Sequence, residues 1–164
     1  MSCLWRRCWY SYTNFDVLGR ITEVGQIVDA SILTKVNNPQ LWNNARTEIT
    51  TTIYDRSLFT NMKNLRGRIG TVKYQDAYNI NPALYQHATH YSYDIAGNVP
   101  RLVQDIPILT AWNSRYKTLD YQFDLVSNKV NLFTYQRGAS DQFIHQYTYD
   151  GDNRLTEVKT SPDG

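Results

Sequence analysis

Two histidines three residues apart, His87 and His90, form an H-x-x-H pattern that could bind a metal ion. Residues i and i+3 of a helix share one face, and Asn81 followed by Pro82 predicts a short helix that would just reach both histidines. A zinc site needs three or four protein ligands, however, and no third Cys, His or carboxylate lies at suitable spacing. We therefore predict no metal site and no cofactor.

Four aspartates offer a second kind of chemistry, because paired carboxylates hydrolyse glycosidic bonds. Each of them directly follows an aromatic residue and precedes a Gly or Asn by three or four positions. An Asp at the first position of a type I turn accepts hydrogen bonds from backbone N–H groups two residues on. The Gly or Asn then supplies the positive φ that sends the second strand back. We interpret these residues as turn-closing acceptors: Asp16, Asp94, Asp124 and Asp150.

The chain contains neither a Gly-x-Ser-x-Gly motif nor a phosphate-binding Gly-rich loop. Without a nucleophile, an acid–base pair or a metal site, the sequence predicts a protein that is not an enzyme, with no catalytic residues.

The turn is one part of a repeated pattern of an aromatic residue, Asp, Gly or Asn, a polar or basic residue and an aliphatic residue. Its aromatics stand at positions 15, 93, 123 and 149, and the third copy needs one extra loop residue. A fifth stretch, Gly67-Arg68-Ile69, keeps the second half and lacks the aromatic–Asp half; the long gap around it could hold one more copy. The structural motif residues are Phe15, Asp16, Gly19, Arg20, Tyr93, Asp94, Gly97, Phe123, Asp124, Asn128, Tyr149, Asp150, Asn153 and Arg154.

Composition and pattern favour an all-β protein built from antiparallel hairpins. The chain has 13 tyrosines, and aromatic and β-branched residues suit a pleated, half-buried surface. Helical signals are limited to a turn or two after Asn38-Pro39 and Asn81-Pro82. Strands are predicted over residues 46–55, 67–76, 117–124, 129–136, 142–150 and 154–160.

Three tyrosines stand two positions before a motif aromatic, and we expect them to share its strand face as an aromatic ladder: Tyr91, Tyr121 and Tyr147. Packing explains such a ladder. Exposed Tyr and Trp rings also stack on sugars, so a carbohydrate-binding surface is the alternative.

Length and charge exclude several classes of protein. The 164 residues suit one domain, and a net charge of +2 with 20% charged residues fits neither a disordered acidic tail nor a basic nucleic-acid binder. No apolar run approaches the roughly 20 residues of a membrane span. The start, MSCLWRRCWY, is a poor secretory signal, and its Cys3 and Cys8 cannot staple a fold of this size.

The stretches YDIAGN, FDVLGRI and YDGDNRL resemble the YD repeats of Rhs proteins, of related toxin-complex shell components and of teneurins. NRLTEVKTSPDG is similar to the stretch that leads into an Rhs-associated core region. The resemblance covers roughly residues 12–164, after an N-terminal leader of residues 1–11.

The resemblance implies that each repeat is a β-hairpin and that successive hairpins wind into a curved sheet, part of a hollow shell around a C-terminal effector. It implies a secreted or cell-surface location and, as partners, the rest of the shell and the effector. This chain is too short to close such a shell, so we expect an incomplete portion of one. Glycans are an alternative partner, and neither nucleic acid nor a membrane span is expected.

Overall fold

The fold is described from a computed structural model, which describes residues 9–28 and 45–162. These residues form ten β-strands and a short 3-10 helix, Pro107–Trp112. The strands are β1 (Trp9–Phe15), β2 (Ile21–Val28), β3 (Arg46–Tyr54), β4 (Ile69–Ala77), β5 (His87–Ser92), β6 (Arg101–Asp105), β7 (Tyr116–Phe123), β8 (Val130–Tyr135), β9 (Phe143–Tyr149) and β10 (Leu155–Ser161).

The strands form one antiparallel sheet in which spatial order equals chain order, from β1 to β10. This order follows when each strand pairs with its neighbour in sequence through a hairpin. The predicted all-β class is confirmed. The first strand begins at Trp9, so residues 9–11, which we assigned to the leader, are already part of the sheet.

The four predicted turns have the expected backbone conformation. The residue after the loop has φ of +78° at Gly19, +100° at Gly97, +55° at Asn128 and +67° at Asn153. In the first turn, the Asp16 N–H donates to the Arg20 carbonyl at 2.9 Å and the Gly19 N–H to the Asp16 carbonyl at 3.0 Å. This is a type I turn followed by a left-handed residue, a common way to close a hairpin.

The same pair of backbone bonds closes the turns at Asp94 and Asp150. At Asp124 the turn is one residue longer, and the Asn128 N–H donates to the Asp124 carbonyl at 3.0 Å. The extra loop residue predicted for this copy is therefore present.

Motif aromatics and aliphatics face each other across the hairpins. The register pairs Phe15 with Ile21, Phe123 with Val130 and Tyr149 with Leu155. Each hairpin has a register irregularity beside this pair. Such a bulge adds local twist and lets the aromatic and the aliphatic side chain remain opposite each other.

The described residues divide into two compact units, each considered by itself: residues 9–28, 45–53 and 72–88, and residues 54–71 and 89–162. In the first unit the buried apolar side chains are Ile27, Ile49 and Ala88. In the second, Val103 is buried, and the other fully buried side chains of largest volume are polar: Thr71, His90 and Thr134.

A glycine in the first unit makes room for an aromatic ring. Tyr12 lies opposite Gly25, and a Cβ on that glycine would come within 2.8 Å of the Tyr12 ring. The Tyr12 hydroxyl donates to Glu23 Oε1 at 2.7 Å, and Arg46 Nη1 donates to the same oxygen at 2.6 Å. Burial and the Glu23 carboxylate raise the pKa of Tyr12, so the hydroxyl stays protonated and remains a donor.

One helix prediction is wrong, and the other, after Asn38, lies largely in residues 29–44, outside the described residues. After Asn81 the chain makes a turn: the Ala83 N–H donates to Asn81 Oδ1 at 3.0 Å and the Leu84 N–H to the Asn81 carbonyl at 3.1 Å. Asn before Pro starts a helix and a turn with the same first bonds, and the strand that begins at His87 leaves no room for further helical turns.

The turn geometry predicts a sharp difference between two substitutions at Gly97. Gly97→Val should lower the free energy of unfolding by more than about 1 kcal/mol, because a β-branched residue resists positive φ. Gly97→Asn is the matched control and should lower the free energy of unfolding less, since Asn128 and Asn153 occupy the equivalent position in their turns. Chemical denaturation of the wild-type protein and the two variants measures both changes in unfolding free energy. Equal curves for Gly97→Val and the wild type would contradict the assignment of Gly97 to the motif turn.

Candidate functional site

The carboxylates of the motif aspartates point back into their own turns. Asp16 Oδ1 accepts from the Leu18 and Arg20 N–H groups, both at 2.9 Å. Asp94 Oδ1 accepts in the same way from Gly97 and Asn98, at 2.7 and 2.9 Å. The two later turns repeat the pattern, from Val126 and Ser127 to Asp124 and from Asp152 and Arg154 to Asp150.

These bonds stabilise the ionised carboxylate, which is the opposite of what a general acid needs. The N–H of Arg20 lowers the pKa of Asp16, the Asn98 side chain lowers that of Asp94, and the N–H of Ser127 lowers that of Asp124. The arrangement therefore gives these aspartates a turn-closing role.

Half of one motif is displaced along the chain and was not recognised from the sequence. We expected the copy at Gly67-Arg68 to lack its aromatic–Asp half, yet the Gly67 N–H donates to Asp55 Oδ1 at 2.5 Å and the Asp55 N–H to the Arg68 carbonyl at 3.0 Å. Tyr54-Asp55 is that half, separated from Gly67 by the insertion of residues 56–66. Within residues 9–28 and 45–162, five motifs therefore follow one another, each between an odd-numbered strand and the strand after it, and the described part of the long first gap contains this single copy.

In the second unit, neighbouring turns are joined by side chains of the motif itself. The Tyr93 hydroxyl donates to the Ile69 carbonyl at 2.9 Å, which links the third motif to the second. Arg68 lies over the Tyr93 ring, with its Cζ 5.1 Å from the centroid, and its Nη1 donates to the Asp94 carbonyl at 3.0 Å. Tyr93 thus contacts the preceding turn twice: its hydroxyl donates to a backbone carbonyl there, and its ring receives the guanidinium of Arg68.

The fourth and fifth turns repeat this arrangement. The Tyr149 hydroxyl donates to the Val130 carbonyl at 2.9 Å. Lys129 Nζ lies 4.8 Å from the centroid of the Tyr149 ring and donates to the Asn153 carbonyl. We call this combination the Tyr–cation contact. The basic residue of one motif lies against the Tyr ring of the next motif, and the Tyr hydroxyl donates to the carbonyl of the aliphatic residue that directly follows the basic residue.

The step between the third and fourth turns has different residues at both positions. Asn98 stands where the basic residue would be and Phe123 where the tyrosine would be. Here Asn98 Nδ2 donates to Asn128 Oδ1 at 3.2 Å. The cation and the hydroxyl are thus replaced together, as expected if they act as a pair.

His87 and His90 do not form the shared face that a helix would give. Both lie on strand β5, where residues three apart point to opposite faces. His87 stacks on Tyr74 with ring centroids 5.1 Å apart, whereas His90 is buried. Within residues 9–28 and 45–162 no group of three or more His, Cys, Asp or Glu side chains is placed to hold a metal ion.

His90 is the centre of a buried polar network in the second unit. Its Nδ1 lies 2.9 Å from Thr71 Oγ1 and 3.4 Å from Ser57 Oγ, and its Nε2 lies 3.9 Å from Asp105 Oδ2. Arg115 binds both oxygens of Asp105, at 2.7 and 3.0 Å. Burial lowers the pKa of His90, and the Asp105 charge acts in the opposite direction.

A hydroxyl, an imidazole and a carboxylate that lie one after another in space are also the parts of a catalytic triad. Here only 1% of the His90 surface is exposed, and the Phe59 ring stacks on it with centroids 5.4 Å apart. A substrate could not reach the hydroxyl that the imidazole would activate. The network instead holds the insertion against the sheet, since Ser57 and Phe59 both belong to residues 56–66.

Further bonds fasten the insertion along its length. The Leu58 N–H donates to Thr71 Oγ1 at 3.1 Å, and the Lys63 N–H donates to Ser92 Oγ at 3.0 Å. Near its end, Asn64 Nδ2 donates to the Tyr93 carbonyl at 2.7 Å. Gly70 allows the close approach, because a Cβ there would lie 2.0 Å from the Arg56 carbonyl oxygen.

One face of strands β7, β8 and β9 carries half-exposed aromatic rings. The Tyr121 and Phe133 centroids are 5.1 Å apart, and those of Phe133 and His145 are 5.9 Å apart. His145 in turn lies 6.2 Å from Tyr147. The Tyr121 ring also lies 6.4 Å from that of its motif aromatic, Phe123, as expected, whereas Tyr147 joins this face through His145.

An open groove of about 610 Å³ lies where this face meets the last two turns. Two tyrosine rings, Tyr147 and Tyr149, line it beside the polar side chains of Asp124, Lys129 and Asn131. Ring faces beside hydrogen-bonding groups are suited to a polar cyclic ligand.

The residues of the His90 network could not be identified from sequence, because Ser57, Thr71 and Asp105 have no spacing in common. Tyr54-Asp55 did carry a signal: its aromatic lies 39 residues after Phe15 and 39 before Tyr93.

The lowered pKa of His90 predicts a loss of stability in mild acid. A histidine whose folded pKa lies below its unfolded value of about 6.5 favours folding only while it is neutral. The free energy of unfolding should therefore fall as the pH decreases from 7.5 to 5, by at most about 1.4 kcal/mol per pH unit. His90→Gln should remove this part of the slope, as measured by urea titrations at each pH.

Titration of Asp16, Asp94 and Asp124 falls outside this pH range. Their lowered pKa values mean that their contribution to stability is lost only in stronger acid, below about pH 4. A slope between pH 7.5 and 5 that survives in His90→Gln would contradict the assignment.

No family model matches the chain, and no curated protein sequence matches it. Among the described residues no helix is long and apolar enough to cross a membrane. The resemblance to YD repeats therefore remains a prediction from the sequence.

Proposed function

We propose that the chain is a non-enzymatic structural module of an Rhs-like YD-repeat protein. Its hairpins contribute to a shell that encapsulates or displays a C-terminal effector. The observation that carries this proposal is the succession of five hairpins with the same Asp-closed turn, in which, from the second turn to the fifth, motif side chains of one turn bind the next. Recurring residues that join one hairpin to the next allow a sheet to be extended by further hairpins.

The exposed apolar surface supports the same role. Loop residues between the motif Asp and its Gly or Asn are aliphatic in three turns and almost fully exposed: Val17, Leu18, Ile95, Leu125 and Val126. Trp9 and Phe15 on the first strand and Leu155 and Val158 on the last are also exposed. Strand edges and apolar side chains in contact with water favour association with further protein.

The proposal predicts that the isolated chain self-associates. Light scattering after size-exclusion chromatography should give a mass that rises with protein concentration, and thermal unfolding should depend on concentration as well. Val158→Lys places a charge on the outer strand and should reduce both effects. A monomer with one cooperative, concentration-independent transition would contradict the proposal, because residues 1–164 would then close their own core.

The groove beside Tyr147 favours a second candidate function, carbohydrate binding. Sugar rings stack on tyrosine faces, and their hydroxyls pair with carboxylate, amide and ammonium groups of the kind supplied by Asp124, Asn131 and Lys129.

This candidate predicts saturable binding on a glycan array that Tyr147→Ala reduces at least about tenfold, the loss of roughly 1.4 kcal/mol. Trp112→Ala is the matched control, because Trp112 is 69% exposed and lies outside the groove. Equal losses from both variants, or no binding at all, would count against a glycan site.

A further inference from the structure

The Tyr–cation contact has a donor side and an acceptor side, and β10, the last strand of the described residues, carries an acceptor side. The acceptor consists of a basic residue and the carbonyl of the next, aliphatic residue. Two acceptors in the second unit are occupied: Arg68 and Ile69 by Tyr93, and Lys129 and Val130 by Tyr149. Arg154 and Leu155 stand at the same motif positions in the fifth turn.

The acceptor in the fifth turn is more exposed than the two acceptors that a tyrosine occupies. Arg68, Ile69, Lys129 and Val130 are half-buried under or beside the tyrosine of the next motif. The Arg154 side chain is 72% exposed, and Leu155 is 54% exposed. Strand β10 is the last in the sheet order, and within the described residues only β9 pairs with it.

In the absence of a tyrosine, Arg154 bends back within its own turn. Its Nη2 contacts Asp152 Oδ2, and its Nε lies 3.6 Å from Asp150 Oδ2. Ion pairs this exposed contribute little stability, so they can be exchanged for a ring and a backbone carbonyl at little cost. The guanidinium is thus available to a neighbouring hairpin.

We propose that the outer edge of β10, with Arg154 and Leu155, is a docking site for a β-hairpin whose turn begins with Tyr-Asp. The inference rests on the proposed function and names the chemistry of the partner: the tyrosine ring covers Arg154, and its hydroxyl donates to the Leu155 carbonyl. The first hairpin of a second copy fits less well, because its motif aromatic is Phe15, which has no hydroxyl.

The residues at the third and fourth turns argue for this selectivity. Where the basic residue is replaced by Asn98, the next motif carries Phe123 in place of a tyrosine. A basic residue and a tyrosine therefore occur together in both resolved contacts, and both are missing at the step without the contact. An arginine at position 154 accordingly selects a tyrosine partner.

The test measures binding of a labelled hairpin peptide to the full chain. The probe is a head-to-tail cyclised peptide of residues 143–161, because an isolated hairpin is only marginally stable. Fluorescence anisotropy should show that the Tyr149 peptide binds about three- to tenfold tighter than the same peptide with Tyr149→Leu, which removes both the hydroxyl and the ring, as expected for one hydrogen bond and one ring–cation contact.

A double-mutant cycle identifies the contact. In the chain variant Arg154→Ala the preference for the Tyr peptide should shrink to what the hydroxyl bond alone supplies, and Arg154→Lys should restore it, since Lys129 serves the same role in the fourth turn. Arg66→Ala removes an exposed charge from the insertion, away from this edge, and should leave the preference unchanged.

The outcomes separate this inference from the proposed function. Equal binding of the Tyr and Leu peptides, or no binding of either, overturns the docking site even if the chain self-associates. A monomeric chain that unfolds cooperatively overturns the proposed function whatever the peptides do. Binding with a Tyr preference that depends on Arg154 supports both.

Discussion

The hydrogen bonds from backbone N–H groups to the motif aspartates are the interaction on which the rest of the structure depends. They determine the loop length of each hairpin, and loop length determines the register of its strands. A slip of one residue would move Tyr121 and Phe133 from one face of the sheet to the other. The longer turn at Asp124 shows that the constraint concerns register, because Phe123 still faces Val130 after the extra residue.

The same motif also connects hairpins, which a turn alone cannot do. Adjacent strands are about 4.8 Å apart, a distance that a tyrosine side chain can bridge. Tyr93 and Tyr149 therefore reach the carbonyl of the strand before them, while the preceding basic residue reaches forward under the ring. Where these contacts form, a sequence pattern that closes one turn also determines the position of the next hairpin.

The sequence predicts the parts of this fold that depend on residues close together in the chain. Strands at 46–55, 129–136 and 154–160 and the positive φ of Asn128 and Asn153 follow from periodicity and turn chemistry, which are local. Tyr54-Asp55 was missed because eleven residues, 56–66, separate it from Gly67. The motif was defined by its spacing, and the insertion changes the spacing without changing the bonds.

The errors at Asn81 and His90 have a different cause. Asn81-Pro82 forms the first bonds of a helix and of a turn equally well, so the choice is made by strand β5, which begins a few residues later. His90 belongs to a network whose members lie at positions 57, 71, 105 and 115, and only the completed sheet brings them together. A buried histidine that lost these partners would be left with unpaired nitrogens, which is costly. The network therefore determines where the insertion packs, whereas few aliphatic side chains among the described residues are buried to stabilise it. A sheet whose buried side chains are this polar would gain further stability if its exposed edges and apolar turn tips were covered by protein, which is a physical argument in favour of the proposed role as one part of a larger assembly.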